Sequence, residues 1–348
     1  MRYPEFIREG GTIGLPAPSF APTTEPYLSL YKNALKTLEV KGYHLKPGPN
    51  ATADCGVGIS NTPEACGREL TEMYLDETDA LISLGGGELM CEILDYVDFD
   101  RIKAAKPKWF MGYSDNTNFA YPLATICDTA AIYGPCFGAF GAEPWHESVK
   151  DALDVFTGKT LTVHSYDKYE TESLCDEVHP LAPINATEPR LHGVYDGKDF
   201  YPKGTFTGEL RAEGRFLGGC MDCLVNLLGT KYDQTKAFLE RYREQKIIWF
   251  LEACDLNVFA IRRAMWEMDQ AGWFASVSAF LIGRPLNGGQ MINLDACEAY
   301  LPYARKYGVP MILDMDLGHV DPQMPLIVGA NAQVLIKGND AEIQMELT

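Results

Sequence analysis

The chain has 348 residues, of which 46% are hydrophobic and 22% are charged, as is typical of a globular protein. This length accommodates one large domain or two medium ones, with a sizeable core. The formal net charge of −18 argues against partners such as nucleic acid polymers or anionic membrane surfaces, because both require a basic surface.

The N-terminal segment lacks the apolar stretch of a signal peptide, and no apolar run approaches the roughly 20 residues that span a bilayer. We therefore expect a cytoplasmic protein. Ten cysteines are present, but Cys220-Met221-Asp222-Cys223 is the only C-x-x-C pair, and no nearby histidine completes a zinc set. Free thiols in a reducing compartment are the expectation.

Strands and helices alternate through the first half of the sequence. Residues 11–16 read as a short buried strand, and helices are expected after Thr24 and Thr62, each a capping residue close to a proline. Residues 43–45, 80–84 and 108–111 read as further strands. This alternation predicts an α/β fold in which helices cover a parallel sheet.

The pattern changes after about residue 150. Residues 165–210 are polar and rich in Pro, Asp, Glu and Tyr, which indicates a linker or a long functional loop. An ordered region with strands at 247–251 and 279–282 follows. The sequence thus predicts an N-terminal α/β domain at 1–164, a linker or active-site loop at 165–210 and a C-terminal domain at 211–348.

Ser114 is the candidate nucleophile. It lies in Gly112-Tyr113-Ser114-Asp115, between a strand-like run and a segment that can start a helix. A serine on a tight strand-to-helix turn exposes its hydroxyl, and the next backbone N–H, at a helix N-terminus, can stabilise an oxyanion. The same tetrapeptide is also typical of a plain helix cap. No G-x-S-x-G is present, which argues against an α/β-hydrolase esterase.

Three other segments each allow more than one interpretation. The run Gly85-Gly86-Gly87 after a strand can cradle a phosphate, donate an oxyanion N–H or simply form a turn. Glu252 ends an apolar strand, where a carboxylate must be paired, either with a catalytic histidine or in a structural ion pair. His319 follows a glycine and is either exposed or catalytic. Asp314 and Asp316 beside it are weak candidates for a metal site.

Several of these segments, in chain order, resemble the LD-carboxypeptidase family of serine peptidases, which includes the microcin C self-immunity peptidases. The resemblance is carried by segments at both ends of the chain: Gly11-Thr12-Ile13-Gly14 with Pro18-Ser19, Gly86-Gly87, Gly112–Asp115, Gly214-Arg215 with Gly218-Gly219-Cys220, Phe250-Leu251-Glu252, and Gly318-His319 with Pro325 and Gly329. Cys220 stands where many members have asparagine.

The resemblance implies a Ser–His–Glu triad and no metal or cofactor. Ser114 would attack the carbonyl carbon, His319 would accept its proton, and Glu252 would orient the imidazole. The backbone N–H groups of Gly86 and Asp115 would form the oxyanion hole. It also implies an N-terminal parallel-sheet domain carrying the serine, a smaller C-terminal α/β domain carrying the other two residues, and a homodimer.

The resemblance leaves the substrate open. Self-immunity members cleave a peptidyl or aminoacyl group from a modified nucleotide, whereas murein-recycling members release terminal D-alanine from an L,D-tetrapeptide. The long segment 165–210 favours the first class, and its aromatic residues either stack on a base or pack onto the body: Tyr166, Tyr169, Tyr195, Phe200 and Tyr201. A non-catalytic binding protein on the same scaffold is the alternative from another class. For an enzyme, activity is expected to fall at acid pH, because an ordinary histidine pKa is about 6.5.

Overall fold

A computed structural model describes the whole chain, residues 1–348. The chain divides into two compact units, the first formed by residues 1–160 and 172–185 and the second by residues 161–171 and 186–348. Each unit has a sheet with parallel strands and covering helices, so the predicted α/β class is confirmed. The second unit, expected to be the smaller, is no shorter than the first because it includes residues 186–210.

The first unit is built on five parallel strands in the order β2-β1-β3-β4-β5. Strands β3 to β5 are short, continuously apolar and fully buried, as is typical of a parallel sheet with both faces covered. The strands are β1 (Thr12–Leu15), β2 (His44–Pro47), β3 (Ala80–Ile82), β4 (Trp109–Gly112) and β5 (Ala131–Tyr133).

Helices connect these strands, but only one of the two predicted caps is confirmed, because the helix after Thr24 begins at Tyr27 with Pro26 at its N-cap position and no side-chain cap. Thr62 caps its helix by accepting a hydrogen bond from the Ala65 N–H at 3.3 Å, and Pro63 occupies the first turn. The helices are α1 (Tyr27–Val40), α2 (Pro63–Leu75), α3 (Phe99–Ala104), α4 (Thr117–Thr125) and α5 (Glu147–Phe156); short 3₁₀ turns lie at Met90–Tyr96, Ser114–Asn116 and Phe137–Gly141.

The second unit contains a nine-stranded sheet in the order β10-β9-β14-β13-β12-β11-β16-β17-β6, in which β11 to β14 are parallel. Its central strand β12 is buried at every position. Three further strands of this unit, β7, β8 and β15, are not part of that sheet. The strands of the unit are β6 (Thr162–His164), β7 (Lys168–Glu170), β8 (Ala186–Pro189), β9 (Gly193–Tyr195), β10 (Phe200–Tyr201), β11 (Glu209–Cys220), β12 (Ile247–Glu252), β13 (Val277–Gly283), β14 (Met311–Met315), β15 (Leu326–Val328), β16 (Asn331–Lys337) and β17 (Asp340–Glu346).

The helices of this unit are α6 (Met221–Leu227), α7 (Thr235–Arg241), α8 (Val258–Gln270) and α9 (Ala296–Tyr307). Asn257 caps α8 through hydrogen bonds to two backbone N–H groups, and α9 ends at Gly308 in a left-handed conformation. None of the helices in either unit has the length and apolar character needed to cross a membrane.

The segment 165–210 differs from the predicted linker or loop because it contains strands. β7 pairs with β8 in a two-stranded ribbon, whereas β9 and β10 extend the edge of the nine-stranded sheet beside β14. The strands are only two to four residues long, and β8 is largely exposed, so the segment has no clear hydrophobic period. Residues 172–185 belong instead to the first unit.

Candidate active site

The sequence-predicted site residues lie at or just after the carboxyl ends of parallel strands, where α/β sheets commonly bind ligands. Ser114 follows β4 in the first unit. In the second unit, Glu252 is the last residue of β12, and His319 lies four residues after β14.

Ser114 lies on a strained strand-to-helix turn. Its φ angle is +62°, in the left-handed region that residues with a side chain seldom adopt. The chain leaves β4 at Gly112, where an added Cβ would lie 2.9 Å from the Cβ of Asn116, so glycine permits the tight turn. The Ser114 N–H donates to the Tyr133 hydroxyl at 3.3 Å. This geometry matches the elbow that the sequence predicts.

The glycine turn after β3 packs against the Ser114 side chain. A Cβ on Gly86 would lie 3.2 Å from both Cβ and Oγ of Ser114, so the Gly86 backbone lies beside the hydroxyl. Asn116 fixes the turn, since its side-chain amide donates to the Gly85 carbonyl at 2.9 Å. The Phe20 N–H donates to the Gly86 carbonyl at 2.8 Å, which directs that carbonyl toward the Pro-Ser turn.

The Asp115 side chain is buried and holds the turn after Ser114 through hydrogen bonds. Its carboxylate is 3% exposed and accepts hydrogen bonds from the Ser19 hydroxyl at 2.5 Å and the Met90 N–H at 2.9 Å. Asn118 donates to the other carboxylate oxygen at 2.9 Å. These bonds hold the residue after Ser114 in place, so its backbone N–H keeps a fixed position at the start of the 3₁₀ turn that precedes α4.

Glu252 and His319 form a buried pair. The Nδ1 atom of His319 lies 2.8 Å from Oε2 of Glu252, and the two side chains are 13% and 0% exposed. Glu252 is adjacent to β11 and β13 in the middle of the sheet, where an unpaired carboxylate would cost several kcal/mol. Of the open interpretations, the structure therefore supports a histidine partner for Glu252 and excludes an exposed His319.

Two glycines bring the histidine segment against Glu252. Gly318 has a φ of +88°, and a Cβ there would lie 2.6 Å from both Cγ and Cδ of Glu252. Gly283, at the end of β13, also lacks space, because its Cβ would lie 2.9 Å from the Cβ of Glu252. Larger residues at either position would push His319 or the carboxylate out of place.

The environment of His319 raises its pKa to about 11. Burial acts to lower this pKa, but the negative charge of Glu252 and the hydrogen bonds that the imidazole makes with Cys254 and Glu252 outweigh it. The imidazolium form is therefore strongly stabilised. A histidine that becomes positively charged during proton transfer is well served by this setting.

An arginine that the sequence analysis did not identify holds the histidine segment. Arg284, just after β13, is 6% exposed and pairs with the fully buried Asp316 at 2.7 Å. It also donates to the carbonyls of Asp314 at 2.9 Å and Val320 at 3.4 Å, on either side of His319. Asp316 accepts a further bond from the Tyr166 N–H at 2.9 Å.

The two aspartates considered as metal ligands are both paired with cations. Asp316 pairs with Arg284, and Asp314 pairs with Lys203 at 2.9 Å. The structure therefore gives no support to a metal site made of these two carboxylates and His319.

Cys220, which the sequence singled out only as a position where many family members have asparagine, lies close to Glu252 and His319. It is the last residue of β11 and lies in register with Glu252 on β12. Its Sγ, a carboxylate oxygen of Glu252 and an imidazole nitrogen of His319 all lie within 4.8 Å of one another. The sequence did not predict that these three side chains meet, because they are far apart along the chain and come together only in the folded unit.

Both domain models of one peptidase family match the chain. The LD-carboxypeptidase N-terminal domain matches residues 13–134, and the LD-carboxypeptidase C-terminal domain matches residues 213–334. The chain belongs to the LD-carboxypeptidase family. The N-terminal match includes Ser114, and the C-terminal match includes Glu252 and His319.

Curated relatives in this family resemble the chain over nearly its full length. The microcin C7 self-immunity protein MccF of Escherichia coli is 23% identical, and the match covers 93% of this chain and 90% of that protein. A probable murein peptide carboxypeptidase of Bacillus subtilis is 24% identical, with 94% and 90% covered. Identity at this level does not distinguish between the two activities.

Solved structures of family members share the fold. An MccF-like protein from Bacillus anthracis superposes with a TM-score of 0.79 at 21% identity, covering 99% of each chain. The microcin C7 self-immunity protein in complex with aspartyl sulfamoyl adenosine gives a TM-score of 0.75 at 20% identity, covering 99% of this chain and 98% of that one.

The aromatic residues of segment 165–210 are mostly packed inside the second unit. Tyr166 and Tyr195 are 3% and 6% exposed. The Tyr169 ring lies under the Arg284 guanidinium, 4.8 Å from its centroid, and Tyr201 packs edge-on against Phe206. These contacts favour the packing interpretation over base stacking.

Proposed function

We propose that the protein is a serine hydrolase that cleaves an amide-type bond with Ser114, His319 and Glu252. The observation that carries this proposal is the buried 2.8 Å pair of His319 and Glu252, because a histidine oriented by a carboxylate is the base that a serine nucleophile requires. The left-handed backbone of Ser114 is the second support, since strain of this kind concentrates at functional turns.

In the proposed reaction, Ser114 Oγ attacks the carbonyl carbon while His319 accepts its proton. The oxyanion accepts hydrogen bonds from the backbone N–H groups of Gly86 and Asp115. His319 then gives the proton to the leaving amine, and a water molecule, activated by the same histidine, hydrolyses the acyl-enzyme. Glu252 keeps the imidazole oriented and stabilises its positive charge in both steps.

We propose an aminoacyl or peptidyl group joined to a modified nucleotide as the substrate, as in microcin C self-immunity. The support is similarity to a relative whose solved complex contains aspartyl sulfamoyl adenosine. The packed tyrosines of segment 165–210 add nothing to this choice. The second candidate is the release of terminal D-alanine from a murein L,D-tetrapeptide, supported by the similarity to the probable murein peptide carboxypeptidase.

A mass-spectrometric assay of both substrates tests the proposal. Wild type and Ser114→Ala are incubated with an aminoacyl sulfamoyl adenosine and, separately, with an L,D-tetrapeptide. Release of the amino acid from the nucleoside, absent in Ser114→Ala, supports the first candidate, whereas loss of D-alanine supports the second. Ser148→Ala is the matched control, since it removes another buried serine hydroxyl, at the start of α5.

The alternative from another class is a binding protein without catalysis. A covalent probe for serine hydrolases distinguishes it, because an activated serine reacts whatever its natural substrate. Labelling of wild type and Ser148→Ala, but not of Ser114→Ala or His319→Ala, is expected. No labelling and no cleavage of either substrate would contradict the catalytic proposal. The homodimer implied by the family stays a prediction, which light scattering tests.

A further inference from the structure

The second unit holds three different metal-ligating groups in one cluster. Cys220 Sγ, a Glu252 carboxylate oxygen and a His319 imidazole nitrogen lie within 4.8 Å of one another. The three residues end β11, end β12 and follow β14, so the sheet itself brings them together. Their exposures are 1% for Cys220, 0% for the Glu252 side chain and 13% for that of His319, so the cluster is buried with its histidine reaching solvent.

The donor set is chemically selective. A thiolate, an imidazole and a carboxylate are the three ligand types of zinc sites, at about 2.3, 2.0 and 2.1 Å from the metal respectively. Tetrahedral coordination at those lengths needs ligand atoms roughly 3.3–3.8 Å apart. Because the three ligand atoms already lie within 4.8 Å of one another, small side-chain movements bring them to these separations. The sulfur disfavours Mg²⁺ and Ca²⁺, which prefer oxygen ligands only.

We propose that Cys220, Glu252 and His319 bind a thiophilic divalent cation of the Zn²⁺ class, and that this binding switches the hydrolase off. The metal forms bonds to the cysteine sulfur, a glutamate oxygen and one imidazole nitrogen. The thiol proton is released to solvent. When both ring nitrogens of His319 carry a proton, the proton on the coordinating nitrogen is released to solvent as well. Neither a redox change nor a co-reactant is needed, and a chelator reverses the step.

Inhibition follows from which groups the metal occupies. Once Glu252 and His319 are ligands, the carboxylate no longer orients the imidazole, and the histidine no longer exchanges its proton freely. The claim that the metal inhibits hydrolysis rests on the proposed function. The claim that the metal binds does not, because it concerns only these three side chains. Metal binding and inhibition are therefore measured separately.

Binding is measured with Co²⁺, which reports thiolate ligation through a near-ultraviolet charge-transfer band and tetrahedral geometry through visible bands. We expect these bands in the metal-free wild type and in Ser114→Ala, and we expect Zn²⁺ to abolish them. Cys220→Ala and the more conservative Cys220→Ser should lose the charge-transfer band and weaken Zn²⁺ binding at least about 100-fold.

Cys223→Ala is the matched control, because Cys223 is the other buried thiol of the same C-x-x-C segment. This variant should keep the cobalt bands. A band that persists in both Cys220 variants, or one that disappears in Cys223→Ala, would overturn the assigned ligand set. Absence of any band in wild type would overturn binding itself, even if hydrolysis proceeds as proposed.

Inhibition is measured as the ratio of hydrolysis rates without and with Zn²⁺. Wild type and Cys223→Ala should lose activity and recover it with EDTA, whereas the ratio for Cys220→Ala should stay near one. Cobalt bands without inhibition would overturn the inhibitory role alone. Loss of activity on EDTA treatment and recovery with Zn²⁺ would also overturn it, since the metal would then be required. If no substrate is cleaved, the cobalt titration still decides the binding.

Discussion

The Gly318 backbone lies directly against the Glu252 carboxylate, and no side chain fits between them. A Cβ on Gly318 would lie 2.6 Å from Cδ of Glu252, and the φ of +88° adds a second requirement for glycine. The glycine before the histidine therefore sets the distance at which His319 and Glu252 meet. Position 318 therefore requires glycine for two reasons, its close packing against the Glu252 carboxylate and the left-handed backbone of the turn.

Gly318→Ala is expected to reduce kcat by roughly 100-fold, as a misplacement of about 1 Å in a catalytic group does. The left-handed backbone alone costs about 1–3 kcal/mol of folding free energy, and the clash with Glu252 adds to this. Turnover and urea unfolding of the variant measure the two effects.

Gly308→Ala is the matched control for the loss of folding free energy that a left-handed backbone causes. Gly308 ends α9 with a φ of +63°, but its added Cβ would meet nothing within 4 Å. We expect a stability loss from backbone strain with turnover near that of wild type. An equal loss of turnover in the two variants would show that Gly318 acts through stability and not through the position of His319.

The pH dependence of activity follows from the raised pKa of His319. Because this pKa is about 11 in the folded protein, the imidazole is largely protonated at neutral pH and the basic form increases as pH rises. We therefore expect kcat/KM to keep rising above the ordinary histidine value of about 6.5. The fall at acid pH stays as predicted from the sequence, but its midpoint moves upward.

Neighbouring ionisable groups shape the same profile. Burial and the charge of Glu170 raise the pKa of Asp321 to about 7, while His319 and Arg284 oppose that rise. As Asp321 ionises near neutral pH, it adds negative charge close to His319 and further favours the imidazolium. Rates measured from about pH 5 to about pH 10 test this, and a plateau already reached at about pH 7 would contradict the raised pKa.

Glu252→Gln separates the charge of the carboxylate from its shape. Without the negative charge, burial becomes the dominant influence on His319, so its pKa should fall and the midpoint of the pH profile should move to lower pH. The amide also favours the wrong imidazole tautomer, so kcat should drop by roughly 10³–10⁴.

Asp269→Asn is the control for removing a largely buried carboxylate elsewhere. Asp269 is 8% exposed and pairs with Lys306 at 2.7 Å, in α8 of the same unit. It should lose stability without a shift of the pH midpoint. A Glu252→Gln enzyme with an unchanged midpoint would refute the assignment of the raised pKa to Glu252.

The sequence was informative where function follows local chain geometry. The elbow at Ser114, the helix capped by Thr62 and the buried strand ending at Glu252 were all predicted from neighbouring residues. Arg284 and the proximity of Cys220 to Glu252 were not predicted, because these contacts are made across strands, with partners distant in sequence. Short strands within 165–210 were missed because exposed edge strands carry little hydrophobic period.

Arg284 is predicted to act as a positioning residue for His319. Its guanidinium bonds the Asp316 side chain and the Asp314 and Val320 carbonyls, a combination that the single ammonium of lysine cannot reproduce. Arg284→Lys should keep the charge beside Asp316 but loosen the turn that carries His319. We expect kcat to fall roughly tenfold to 100-fold with little change in KM.

Arg215→Lys is the matched control for Arg284→Lys, because Arg215 is another buried arginine of the same sheet. It is 2% exposed and donates to Gln245 at 2.6 Å and to the Thr348 carbonyl at 3.1 Å, near the amino end of β12 and not at its carboxyl end, where Glu252 lies. Both variants should lose folding stability, as measured by urea unfolding. Only Arg284→Lys should lower kcat, since only its partners flank His319. A similar drop in kcat for the two variants would assign Arg284 a purely structural role, whereas a drop confined to Arg284→Lys would link the buried ion pair to the placement of the base.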